Sequence, residues 1–170
     1  LLNKDMKKKI FLAGAGGMLG EAFYHEFLSD YELYCTDKDV NEKWLNFLNF
    51  CDKEEYKSQV SKFAPDYLFH LGAFTDLEYC EKHKIETIKT NTDSVISAVD
   101  ISNHLKIPLL YISTAGIFDG HKDFYDETDL PKPIGVYASS KYEAEKYVVK
   151  NCKKYLVCRA GWMMGGGPKK

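Results

Sequence analysis

Five short apolar runs recur along the chain: KIFLA (9–13), ELYCTD (32–37), DYLFHLG (66–72), IPLLYIST (107–114) and KYLVCRA (154–160). Several are apolar almost throughout, the pattern of strands in a parallel sheet covered on both faces. Between them, apolar residues return at helical spacing over roughly 17–29, 53–64, 84–105 and 137–151. Pro65 and Pro108 stand where a helix must stop. The stretch FDGHKDFYDETDLPKPIGV (118–136) is rich in Gly, Pro and Asp and is expected to be a long loop. Strand–helix alternation over the whole length, with no internal repeat, predicts an α/β fold: a Rossmann-type doubly wound parallel sheet with right-handed crossovers.

Composition narrows this picture. At 170 residues, 45% hydrophobic and 28% charged, the sequence suits one globular domain with a sizeable core. A net charge of −2, from 23 basic and 25 acidic residues, gives no reason to expect nucleic acid or an anionic membrane as partner. No apolar run approaches the ~20 residues needed to span a bilayer, and LLNKDMKKKI lacks the apolar core and cleavage site of a signal peptide. Met6 is read as the natural start, with the residues before it an extension. Cys35, Cys51, Cys80, Cys152 and Cys158 are odd in number and form no Cys-x-x-Cys pair, so reduced, mostly buried thiols in a cytoplasmic protein are expected.

The first run leads into GAGGMLG (14–20). Gly-x-Gly-x-x-Gly fails because position 19 is Leu19, whereas Gly-x-x-Gly-x-x-Gly fits Gly14, Gly17 and Gly20. A tight strand-to-helix turn needs residues without Cβ, and a pyrophosphate must approach backbone N–H groups at the helix N-terminus. No Gly-Lys-Ser/Thr follows, which excludes a P-loop. Asp37 ends the second run, where a carboxylate accepts hydrogen bonds from the adenosine ribose and repels a 2′-phosphate. That favours NAD over NADP, although Lys38 next to it softens the preference, and Asp37 could instead cap the turn in TDKD.

YASSK (137–141) opens the last helical stretch, and its i, i+4 spacing puts Tyr137 and Lys141 on one face. A cation beside a phenol favours the phenolate and brings its pKa toward the working range. YEAEK (142–146) repeats the pattern and is read as surface helix. The fourth run ends in Ser113-Thr114, at the carboxyl end of a strand, where a hydroxyl can share a carbonyl oxygen with the tyrosine.

Together these features resemble the extended short-chain dehydrogenase/reductases, and more finely their dTDP-4-dehydrorhamnose reductase branch, which also includes a regulatory subunit of methionine adenosyltransferase. HLGAFTDLEYCE (70–81), ISTAGIFDG (112–120), CRAGWMMG (158–165) and LNFCD (48–52) are similar to that branch's segments. The resemblance implies that Gly14 and the backbone of Gly17, Met18 and Leu19 meet the pyrophosphate, that Asp37 holds the ribose, and that Asn49 and Phe50 flank the adenine. Gly72, Ala73 and Phe74 would line the nicotinamide side, with Asn91 in support. Thr114, Tyr137 and Lys141 would be catalytic, with Tyr137 donating the proton and Lys141 also binding the nicotinamide ribose. Thr114, Ala115, Tyr137 and Trp162 would meet a nucleotide-sugar substrate. The implied function is NAD(P)-dependent reduction of a nucleotide-linked 4-keto sugar, by a cytoplasmic protein able to form a homodimer.

The sequence also departs from that branch. Ala115-Gly116 replaces Asp-Tyr, Gly72 an alanine and Asn49 an aspartate, so a non-catalytic regulatory subunit, or an epimerase or dehydratase with tightly held NAD, stays open. Residues 1–160 are expected to form the nucleotide-binding domain, with 161–170 beginning a further substrate-binding portion or a loose tail, so that this is the N-terminal part of a longer chain. His70 is read as a core residue, and His83, His104 and His121 lack metal spacing, so no metal is expected. EYCEKHK (78–84) is read as a solvated helix start, and Trp44, Phe47 and Phe50 as core packing.

Overall fold

A computed structural model describes residues 7–165; the expectations about Met6 and the positions before it, and about the final GGPKK, lie outside the described residues. The strands are β1 (Lys9–Ala13), β2 (Glu32–Asp37), β3 (Leu45–Phe47), β4 (Tyr67–His70), β5 (Leu109–Thr114) and β6 (Tyr155–Ala160). The helices are α1 (Met18–Phe27), α2 (Lys53–Phe63), α3 (Leu77–Lys82), α4 (Lys84–Ile88), α5 (Ser94–Leu105) and α6 (Gly135–Asn151). All strands pair in parallel in the order β3-β2-β1-β4-β5-β6. The order reverses between β1 and β4, so a crevice opens beyond their carboxyl ends.

The two faces of the sheet are covered unequally. On one, Tyr56 and Val60 of α2, Val95, Val99 and Ile101 of α5, and Ala144 and Val148 of α6 pack on Phe11, Leu68 and Tyr111. On the other, Phe23 and Phe27 of α1 pack over Ile10 and Leu12, while Leu156 of β6 stays exposed. Among the described residues, α1 is the one helix of that face.

Several sequence expectations need correction. β3 is an unexpected short edge strand, and Phe47 on it is 59% exposed, not packed in the core. Trp44 is partly buried and stacks on Tyr24 with ring centroids 4.3 Å apart. The helix expected over 84–105 is present without interruption, as α4, a π-helical turn at Lys89–Asp93 and α5, and only the π-turn within it was not expected. EYCEKHK holds a separate helix whose Cys80 is buried and whose Glu81 accepts a hydrogen bond from Val136 N at 2.6 Å. Glu81 thereby caps the first turn of α6. Inside YEAEK, Glu145 is 3% exposed, so that residue is not on the surface. His70 is a core residue as expected: Tyr56 Oη lies 3.1 Å from Nδ1 and Ser94 Oγ 3.2 Å from Nε2. Burial, and then the charge of Lys141, push its pKa down to about 3. All five cysteines are free thiols, three of them buried.

Candidate functional site

The crevice at the strand-order reversal has a volume of about 520 Å³. Its first wall is the turn from β1 into α1. Gly14 N and Ala15 N both donate to Thr36 O at 2.9 Å, which fixes the entry to the turn. Gly14 has φ +79°, and a Cβ there would fall 2.2 Å from the Cα of Gly72. Glycine is therefore required by backbone sign and by close approach. Gly17, the residue preceding α1, has no protein atom within 4 Å of its would-be Cβ and no side-chain cap on the helix N–H groups. Its bareness serves no packing need and leaves the helix N-terminus open to the crevice.

Asp37 closes this wall from β2. Its Oδ2 accepts from Gly16 N at 2.8 Å and its Oδ1 from Asp39 N at 3.1 Å. The carboxylate thus braces the glycine turn and caps its own loop, while still lining the crevice beside Lys38. The floor is formed by Phe50 and the segment after β4. A Cβ on Gly72 would meet the Phe50 ring at 2.3 Å. The absent Cβ of Gly72 is the space this phenylalanine occupies.

The second wall comes from β5 and α6. Thr114 ends β5, and its Oγ1 accepts from Gly116 N at 3.0 Å. Tyr137 is half-buried, and the neighbouring Thr114 hydroxyl opposes a net upward shift of its pKa. Desolvation is the larger effect, so Tyr137 holds its proton more firmly than a free phenol. The lowering expected from Lys141 is not realised. Lys141 is 4% exposed, its Nζ lies 4.5 Å from the centroid of the Tyr111 ring, and burial lowers its pKa to about 7 against the raising influence of Glu145. A lysine so poised carries much less positive charge near neutral pH than a solvated one.

Behind this wall lies a brace that the sequence did not reveal in full. Asn91, on the π-helical turn, accepts from Phe74 N at 2.8 Å and donates to Phe74 O at 3.0 Å and Ser140 Oγ at 3.1 Å. Ser140 Oγ in turn donates to Tyr137 O at 2.7 Å. The helix irregularity carries the side chain that ties the floor to α6, a common setting for π-turns.

The expected site residues divide cleanly. Gly14, Gly17, Met18, Leu19, Asp37 and Phe50 line the crevice, as do Gly72, Ala73, Phe74, Thr114, Tyr137 and Lys141. Asn91 is fully buried behind the lining. Asn49 turns its Oδ1 to Cys51 N at 3.2 Å and does not line the crevice. Ala115 faces a separate hollow with Phe118, Glu145 and Arg159. Trp162 is 98% exposed and borders an adjoining hollow with Met18, Leu19 and Met163. Among the described residues, no group of His, Cys, Asp and Glu could hold a metal ion, and no helix is long and apolar enough to cross a membrane.

Comparison with known proteins matches residues 7–170 to the family described as RmlD substrate binding domain. The chain belongs to that family. It is 26% identical over 159 residues to methionine adenosyltransferase 2 subunit beta of Danio rerio, covering 93% of this chain and 49% of that protein. It is also 26% identical over 160 residues to dTDP-4-dehydrorhamnose reductase of Aggregatibacter actinomycetemcomitans, covering 92% of this chain and 52% of the relative. The crystal structure of dTDP-4-dehydrorhamnose reductase from Bacillus anthracis in complex with NADP superposes with a TM-score of 0.85. It is 28% identical and covers 94% of this chain and 55% of that one. This RmlD-family chain spans about half the length of the curated relatives it matches.

Proposed function

We propose that the chain is the cofactor-binding portion of a reductase acting on a nucleotide-linked 4-keto sugar, with NADH or NADPH as reductant. The observation that carries this reading is the meeting of Thr114, Tyr137 and Lys141 on one wall of a crevice whose other wall is a bare glycine turn. The residues fit a dinucleotide. Gly17 leaves room for a pyrophosphate against the unsatisfied N–H groups of α1, and Asp37 stands where a ribose would lie. A bound dihydronicotinamide supplies a hydride to the carbonyl carbon. Tyr137, its proton held tightly by desolvation, donates that proton to the carbonyl oxygen while the Thr114 hydroxyl steadies both. Lys141 in its charged form stabilises the phenolate left behind. By class resemblance, 161–165 and Trp162 lead toward the sugar-binding portion.

Asp37 favours NADH over NADPH in this reading, although the Bacillus anthracis relative was solved with NADP. Lys38, which also lines the crevice, softens the preference. The protein is read as acting in the cytoplasm, and a homodimer is compatible with it. The test is oxidation of NADH or NADPH by the purified protein in the presence of dTDP-4-dehydro sugars. Absence of turnover, together with a Tyr137→Phe variant indistinguishable from the parent, would sink the proposal.

A second reading is a nucleotide-binding regulatory subunit, favoured by the similarity to methionine adenosyltransferase 2 subunit beta and by Ala115, which faces away from the crevice. Stable co-purification with an enzyme partner, with cofactor bound but never consumed, would support it over the first.

A further inference from the structure

Tyr137, Lys141 and Glu145 lie four residues apart on α6, so phenol, ammonium and carboxylate follow one another along one helix face. The carboxylate is buried and gripped from the neighbouring strand: Arg159 of β6 donates from Nε at 3.1 Å and from Nη2 at 2.7 Å, both to Oε1. The guanidinium packs over the Phe118 ring at 5.4 Å. This leaves Oε2 of Glu145 buried and without a hydrogen-bond partner among the described residues, one helical turn from Lys141. Both gripping bonds fall on a single oxygen, an arrangement that spends half of the carboxylate and leaves the rest to act as a fixed negative charge.

We propose that Glu145, locked in place by Arg159, is a positioning residue whose buried negative charge, one helical turn away, favours the ammonium form of Lys141 at the crevice wall. The catalytic meaning of this rests on the reductase reading above, but the charge coupling does not. Burial alone favours the neutral amine, because taking an isolated ammonium out of water is costly. The negative charge of Glu145, four residues along the same helix, acts on Lys141 in the opposite sense and raises its pKa. The other ionisable neighbours do not replace it. Tyr137 on α6 and Tyr111 on β5 have raised pKa values and remain neutral. His70 on β4 is held neutral by burial. Arg159 on β6 is paired with Glu145. A role confined to fastening β6 to α6 would need the two hydrogen bonds but not the negative charge, since a glutamine oxygen accepts equally.

The test is an NMR titration of lysine Cε resonances in the cofactor-free protein, with Lys141 assigned from a Lys141→Met variant. In Glu145→Gln the Lys141 midpoint is expected to fall by about one to three pH units. Glu145→Asp, which keeps the charge, is expected to return it toward the parent value. An unchanged midpoint in folded Glu145→Gln, or the same displacement in both variants, overturns the proposal. If Glu145→Gln does not fold, the unaltered protein still decides: the Glu145 Cδ resonance must respond as Lys141 titrates, and silence there overturns the coupling. In the turnover assay, Glu145→Gln should lose rate on the alkaline side and keep it on the acid side. A protein with no turnover but a displaced Lys141 midpoint would refute the reductase reading and leave the coupling standing.

Discussion

The two walls of the crevice are built by opposite means. The β1–α1 wall is made by leaving side chains out: Gly14 lets two backbone segments touch, and Gly17 leaves a helix terminus bare. The β5–α6 wall is made by putting ionisable side chains where water is scarce: Lys141 and Glu145 are almost fully buried and Tyr137 partly so. Omission imposes a steric rule that any Cβ violates. Burial of charge imposes an electrostatic tension that sets protonation and lowers stability at once. The first wall should therefore fail by clash and the second by altered titration.

The largest expected effect is on the charged wall. Tyr137→Phe removes the proposed proton donor and, on the reductase reading, should cut turnover of a nucleotide-linked 4-keto sugar by ~10²–10⁴-fold, with cofactor affinity little changed. Steady-state rates and a fluorescence titration of NADH separate the two quantities. Next comes the bare wall. Gly14→Ala places a Cβ 2.2 Å from the Gly72 backbone at φ +79°, and should lower unfolding stability by about 3 kcal/mol in urea denaturation. Gly17→Ala meets nothing within 4 Å, so its stability should stay within about 0.5 kcal/mol while dinucleotide affinity drops. If Gly17→Ala bound dinucleotide as tightly as the parent, the open helix terminus would not be a phosphate site.

Lys141→Met should do what no substitution on the bare wall can: lower turnover while raising stability. The Lys141 pKa is about 7 when folded against an ordinary 10.5. The unfolded chain therefore binds this proton more readily, and burial of the lysine costs stability. That cost is full below the folded value and fades as pH rises from about 7 to 10.5. Replacement by methionine is expected to gain about 1–3 kcal/mol at pH 6–7 and progressively less toward pH 10. Thermal denaturation across that range checks the slope, and a uniform gain at every pH would mean that packing, not charge, is responsible.

The same contrast explains what could be read from the sequence. GAGGMLG was legible because omission leaves a mark in composition: four glycines after an apolar strand have few other uses. The parallel sheet was legible because its central strands are apolar on both faces. β3 was not, since three residues with one buried side chain, Leu45, carry no periodicity. The π-turn bearing Asn91 was also hidden, because the hydrogen bonds of Asn91 with Phe74 and Ser140 bridge segments far apart in the chain. Glu145 was misjudged because its partner, Arg159, lies on another element. A charge in a helix pattern reads as solvated until its counter-charge is located. The available signals were the third step of the four-residue spacing from Tyr137, and an arginine inside the otherwise apolar VCRA.

Asp37 belongs to both designs, and the smallest predicted effect is the most discriminating. It is a charge, yet its two oxygens hold the bare turn in place through Gly16 N at 2.8 Å and Asp39 N at 3.1 Å. Asp37→Asn keeps one acceptor and turns the other into a donor facing an N–H, so one of the two bonds must break. That should cost about 1 kcal/mol of stability. It also removes the negative charge that would repel a 2′-phosphate, so NADPH affinity should rise relative to NADH by roughly three- to tenfold. Parallel titrations with the two cofactors give that ratio, and a melting curve gives the stability change. A ratio that shifts shows the carboxylate reading the ribose. A ratio that stays fixed while the melting temperature falls would confine Asp37 to bracing the turn, and the cofactor preference would have to be sought in Lys38 instead.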